Sequence, residues 1–182
     1  MSRPVTEADV ASLVARLSDE LRGFRIAYKD ESSVQRTLGA LVRLWNPRYL
    51  SDYTTVLGRT VWLPSRAWRA AQSPRALYLL LRHEAVHLHD MRRFPGVFQL
   101  SYALLLPAVV TLRAYWELRA YDESVRAVVE LDGHVEDAYL EHIVSRFTGP
   151  DYLFMFPVPG VLRRHLRRVA AEATKDLRRK AA

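Results

Sequence analysis

A helix that is apolar on nearly every side, with two histidines and a glutamate set into its middle, constrains this chain more than any other segment. Residues 76–81 read Ala-Leu-Tyr-Leu-Leu-Leu, and after Arg82 comes His83-Glu84-Ala85-Val86-His87. Ser73-Pro74 supplies a hydroxyl cap and a proline at the first helical position, while Pro95-Gly96 stops the helix at about Phe94. Residues four apart lie on one helix face, so His83 and His87 can bind the same ion. Glu84 can then reach a water in the ion's open position and act as its general base. The three fixed residues alone arise by chance in on the order of one in a hundred chains of this size and composition, so the context has to carry the reading. It does, because two imidazoles and a carboxylate inside such a helix are costly without partners. The competing reading is a hydrogen-bonded pair of core histidines.

With 182 residues, 49% of them apolar, one domain with a sizeable core is expected. The chain has no cysteine, which excludes disulfides and thiolate metal sites and fits a reducing compartment. The first residues carry no apolar run of the secretion type, so a cytoplasmic location is expected. Residues 97–112 form the most apolar stretch, but it is too short for a span and is interrupted by Gln99, Ser101, Tyr102 and Pro107. It reads as two buried helical pieces meeting at Pro107, with no transmembrane span.

The net charge of +7 is concentrated at the end of the chain, where Arg163, Arg164, Arg167, Arg168, Lys175, Arg178, Arg179 and Lys180 crowd one helix. Its apolar stripe is Leu162, Leu166, Val169, Ala173 and Leu177, so a packed terminal helix with a solvated outer face is expected. Nucleic-acid or lipid binding is the competing role, though no groove-reading motif accompanies the charge.

Earlier in the chain, residues 7–21 read as a helix with Val10, Leu13, Val14, Leu17 and Leu21 on its inner face. Phe24, Ile26 and Tyr28 alternate with Arg25, Ala27 and Lys29 as in a half-buried strand whose outer positions are the second set. Residues 34–45 read as a helix ended by Asn46-Pro47. Residues 53–57 and 60–63 suit a hairpin or a bent strand pair across Gly58-Arg59. Further helices are expected at 97–106, 108–131, 135–147 and 161–179, with a loop over 147–159. The expected architecture is α+β within a single domain over residues 1–182. Helices and a small mixed sheet occupy 1–72, the histidine-bearing helix and a partner helix 73–131, and a helical part with a basic end 132–182.

A catalytic zinc takes three protein ligands and keeps one position for water. The metzincin spacing would need Gly and then His or Asp at positions 90 and 93, which hold Asp90 and Arg93, so that class is rejected. Trp116-Glu117-Leu118-Arg119-Ala120-Tyr121 supplies the other common solution, a glutamate from a separate downstream helix. The apolar and aromatic neighbours of Glu117 argue against full exposure, and Ala120, one turn on, would let two helices approach closely.

On Thr60-Val61-Trp62-Leu63-Pro64, His83-Glu84-Ala85-Val86-His87 and Glu117-Leu118-Arg119-Ala120-Tyr121, the chain resembles the gluzincin clan of zinc metallopeptidases. The resemblance covers roughly residues 53–124, about two fifths of the chain. It implies a zincin-like fold and peptide-bond hydrolysis, with Zn2+ on His83, His87 and Glu117, Glu84 as base, and a protein or peptide substrate. It also implies that residues 55–63 form the rim strand along which an extended substrate adds; an internal strand with no free edge is the alternative. One departure stands out: Tyr121 occupies the position where many gluzincins carry an aspartate that supports a histidine ligand, and Asp122 is rotated off that face. Asp90 could support a ligand histidine instead, although a surface aspartate at a helix end is the expected role. His89 points away from the ion.

The oxyanion of such a reaction needs a donor beyond the metal. Tyr152, in the loop over 147–159, is the candidate, with His134 and His142 as rivals. Two readings from other classes stand beside the peptidase: a non-catalytic metal-binding scaffold and a basic nucleic-acid-associated protein. The intact Glu84 argues against the scaffold, since a structural site has no need of a base.

Overall fold

The computed structural model describes residues 4–42, 48–98, 101, 112–149 and 155–181. They form an α+β fold, with a small mixed sheet early in the chain and helices through the remainder. The chain divides into two compact units, Val5–Glu84 and a unit that begins at Ala85, and the dividing line falls within a continuous helix.

The first unit opens with α1 (Glu7–Glu20), started by a reciprocal cap: the Thr6 hydroxyl accepts from the Asp9 amide, and the Asp9 carboxylate accepts from the Thr6 amide. Val10, Leu13 and Leu17 are buried, as their spacing predicts. Strand β1 (Arg25–Tyr28) and helix α2 (Ser33–Val42) follow; the expected helix over 34–45 ends in residues outside those described. The strands β2 (Thr55–Leu57) and β3 (Thr60–Leu63) form the expected hairpin, antiparallel, with Leu57 opposite Thr60. Its two-residue turn places Gly58 at a φ of +63°, a conformation that costs a residue with a Cβ on the order of 1–2 kcal/mol. β1 pairs with β3 in parallel, so β3 lies inside the sheet and β2 at its edge. Of the stretch 55–63 expected to form a rim, β2 thus lies at the sheet edge, and β3 is the internal strand of the alternative.

Two features of this unit depart from the sequence reading. A short helix, α3 (Arg66–Ala71), had not been expected; it is capped by the Ser65 hydroxyl, which accepts from the Trp68 amide at 3.0 Å. Its signal, a serine before alanine-rich residues, is too short to show a period. The second departure is Lys29, which alternation places on the outer face with Arg25 and Ala27 but which is fully buried. Its backbone continues the β1–β3 pairing by donating to the Leu63 carbonyl at 2.9 Å. Its ammonium is turned inward, where backbone oxygens from residues 20 and 24 positions later receive it.

The helix α4 (Pro74–Arg93) follows. The Ser73 hydroxyl accepts from the Ala76 amide at 3.1 Å, Pro74 is its first residue, and Gly96 past its end adopts a φ of +82°. Burial along the apolar run is one-sided: Leu77 and Leu81 are buried, Tyr78, Leu79 and Leu80 half-buried, and Ala76 exposed. The run is thus amphipathic at this end rather than enclosed all round.

In the second unit, α5 (Leu112–Asp132) and α6 (Asp137–Thr148) pack with α7 (Pro159–Ala181). Leu162, Leu166 and Val169 of α7 are buried in a core with Ile143, Val144 and Phe147 of α6 and Val125 of α5. The basic face of α7 is largely solvated and partly paired, Arg163 with Glu141 at 2.6 Å and Arg167 with Asp137 at 3.3 Å. Among the described residues, no helix is long and apolar enough to cross a membrane. The helix expected over 97–106 and the start of that over 108–131 lie largely outside the described residues, as does most of the apolar stretch 97–112.

Candidate metal centre

The 3.6-residue period of α4 sets His83 one turn before His87, and α5 brings Glu117 to them. Nitrogen atoms of the two rings and a carboxylate oxygen of Glu117 all lie within 4.8 Å of one another. His87 Nε2 is 3.8 Å from Glu117 Oε1, too far for a direct hydrogen bond and close enough for both to reach one ion. His87 and Glu117 are each only 5% exposed, and His83 is half-buried. Two imidazole nitrogens and one carboxylate oxygen form a donor set that suits zinc and several other first-row ions. Three protein ligands also leave a coordination position for water or substrate. The residues present therefore fit a site that could hold a metal ion.

The packing that brings α5 to α4 can be followed residue by residue. Ala120, expected to allow close approach, has no exposed surface, and Ser124 one turn further is also buried. Phe94 and Phe98 lie against the Trp116 ring at 5.4 and 5.7 Å, and Phe98 also faces the His87 ring at 5.8 Å. Asp90 is not the surface aspartate its position near a helix end predicts. It is 1% exposed, and Arg119 grips it in two places, Nε to Oδ2 at 3.1 Å and Nη2 to Oδ1 at 3.0 Å. The reason is that Asp90 follows His87 by three residues and so shares its face, toward α5.

Glu84 is buried and accepts a hydrogen bond from the Thr54 hydroxyl at 2.6 Å. Its charge acts through space on Lys29. Burial lowers the Lys29 ammonium from its ordinary 10.5 to about 7, and the negative charge of Glu84 opposes that fall. In the unfolded chain this amine keeps its proton to pH 10.5, and in the folded chain only to about 7. Between those limits the unfolded state binds more protons, so stability rises with pH. Raising the pH from about 7 toward 9 should stabilise the wild type relative to Lys29→Met by up to about 1.4 kcal/mol per pH unit. Urea titrations of both proteins across that range check it, and parallel pH dependences would refute it.

Of the other expected site residues, Tyr152 lies outside the described residues. His134 and His142 are exposed, His134 facing the Asp132 carbonyl at 3.2 Å, and the metal group includes neither. His89 is exposed, as its angle on the helix predicts. Asp122 does leave the Glu117 face, and His165 of α7 meets its two oxygens at 2.8 and 3.0 Å. Burial raises the Asp122 carboxyl above its usual range, against the opposing pull of His165. Sequence reasoning missed Thr54, Lys29 and His165, and each is joined to its partner across at least 20 residues of chain, beyond any local pattern. In comparison with known proteins, no family model, no curated protein and no solved structure matches this chain.

Proposed function

We propose that this protein is a zinc-dependent metallopeptidase of the gluzincin type. The observation that carries the reading is the convergence of His83, His87 and Glu117 within 4.8 Å, with Glu84 one residue along the same helix. His83, His87 and Glu117 would hold the ion, and Glu84 is the base. Zinc bound there supplies Lewis acidity, which brings the pKa of water toward neutrality and polarises a peptide carbonyl. Glu84 would take one proton of the attacking water and deliver it to the leaving nitrogen as the C–N bond breaks; the other water proton leaves with the carboxylic acid and passes to the amine, giving carboxylate and ammonium. The Thr54 hydroxyl binds Glu84 Oε1, and Oε2 would carry the transferred proton. The edge strand β2 begins at the residue after Thr54, so an extended peptide added to that edge would run close to the base.

The test is zinc content on tag-free protein purified with neither added metal nor chelator, followed by cleavage of a fluorescently labelled unfolded polypeptide. About one zinc per chain is expected, as a single three-ligand site requires, with cleavage that a chelator stops and zinc restores. No zinc as purified, and none taken up on addition, would defeat the reading.

A further inference from the structure

Lys29 is fully buried, and the hydrolytic steps above give it no part. Its Nζ donates to the carbonyl oxygens of Tyr49 and Tyr53, each at 2.8 Å, and stands 3.8 Å from the centre of the Tyr49 ring. Tyr49 in turn donates its hydroxyl to the buried Oε1 of Gln35 at 2.8 Å. A side chain that forfeits its hydration on burial is a costly way to fill space, and an apolar one of similar length would enter far more cheaply. What the amine adds is control over residues 49–54, which lead into β2. One of its acceptors, the Tyr53 carbonyl, directly precedes Thr54, and pairing of β2 with β3 starts at Thr55. Thr54 is thereby held from both sides, and its hydroxyl reaches Glu84 Oε1 at 2.6 Å.

We infer that Lys29 and Thr54 are positioning residues for Glu84. Lys29 secures the two carbonyls, the segment places Thr54, and the Thr54 hydroxyl fixes which way the carboxylate points. The inference rests on the peptidase reading, in which the base must keep one orientation toward the attacking water. Small displacements of a catalytic group can cost two orders of magnitude in rate, so a residue that sets its rotamer has a large lever.

Thr54→Val preserves shape and removes the hydroxyl, and Thr54→Ser returns it. With zinc-loaded protein and the labelled polypeptide, Thr54→Val is expected to lower kcat on the order of tenfold to hundredfold, with KM and zinc per chain unchanged. Thr54→Ser should recover most of that loss, and Lys29→Met added to Thr54→Val should lower kcat no further, since both act through one hydrogen bond. A readout independent of activity is amide hydrogen exchange in metal-free protein. Lys29→Met should speed exchange over residues 49–54 by about tenfold or more while α4 keeps its protection. If Lys29→Met does not fold, the Thr54 pair still decides.

Wild-type kcat in Thr54→Val, or unchanged exchange over residues 49–54 in folded Lys29→Met, overturns the inference. If that occurs while Glu84→Gln is inactive and the wild type cleaves, the peptidase reading stands and only the positioning role falls. Absence of cleavage by the wild type and Glu84→Gln alike, at full zinc occupancy, overturns both.

Discussion

Glu84→Ala is expected to retain about one zinc per chain and to lose peptide hydrolysis by about 10²–10⁴-fold, the usual share of general acid–base catalysis. The two halves of that result have separate origins. The ligand atoms come from His83, His87 and Glu117, so deleting the Glu84 carboxylate removes no donor from the group. The carboxylate is nonetheless the proton carrier of the proposed reaction, and its hydrogen-bond partner, the Thr54 hydroxyl at 2.6 Å, cannot take over as a base near neutral pH. Glu84→Gln makes the comparison stricter, because it keeps the size and the acceptor for Thr54 while abolishing basicity. Metal analysis beside a cleavage assay checks both parts. A variant that cleaves like the wild type would remove Glu84 from the mechanism, and one that loses its zinc would make Glu84 a ligand.

The second large effect belongs to Glu117. Glu117→Ala is expected to weaken zinc retention by more than about 100-fold, since even partners outside the ligand shell cost 10–100-fold when removed. Glu117 is the one member of the group that α4 does not supply, so no neighbouring residue on the helix replaces it. Competition with a chelator of known affinity measures the change. Undiminished retention would reassign the third ligand, with Glu123, His134 or Glu136 as the next residues to replace.

The parts of the fold and site that were legible in the sequence share a physical cause: they are set by period and by local chemistry. The capped helix with His83 and His87 one turn apart follows from 3.6-residue geometry and Ser73-Pro74. Glu117 could be picked out because aromatic and aliphatic neighbours surround it, and it is buried as they predict. The hairpin over Gly58-Arg59 was legible from turn chemistry. Where a side chain's fate depends on a distant segment, reading failed. Lys29 sits in an alternating pattern that sends it outward, and only the carbonyls of Tyr49 and Tyr53 bring it in. Asp90 looked like a helix-end surface carboxylate because Arg119, 29 positions away, could not be foreseen as its partner. The pair Asp122 and His165 spans 43 positions and has no local trace at all.

The grip of Arg119 on Asp90 also bears on how the two helices find their alignment during folding. Sliding α5 by one residue would shift it by about 1.5 Å and turn it by about 100°. Arg119 would then swing away, leaving Asp90 buried without a countercharge at a cost of about 3–5 kcal/mol. The same slip would carry Glu117, two residues before Arg119, off the face that meets His87. A misaligned pair of helices is therefore disfavoured by an ordinary ion pair, whether or not the site holds a metal. On the proposed metal-site reading, refolding in a metal-free buffer is expected to gather His83, His87 and Glu117 before any ion binds.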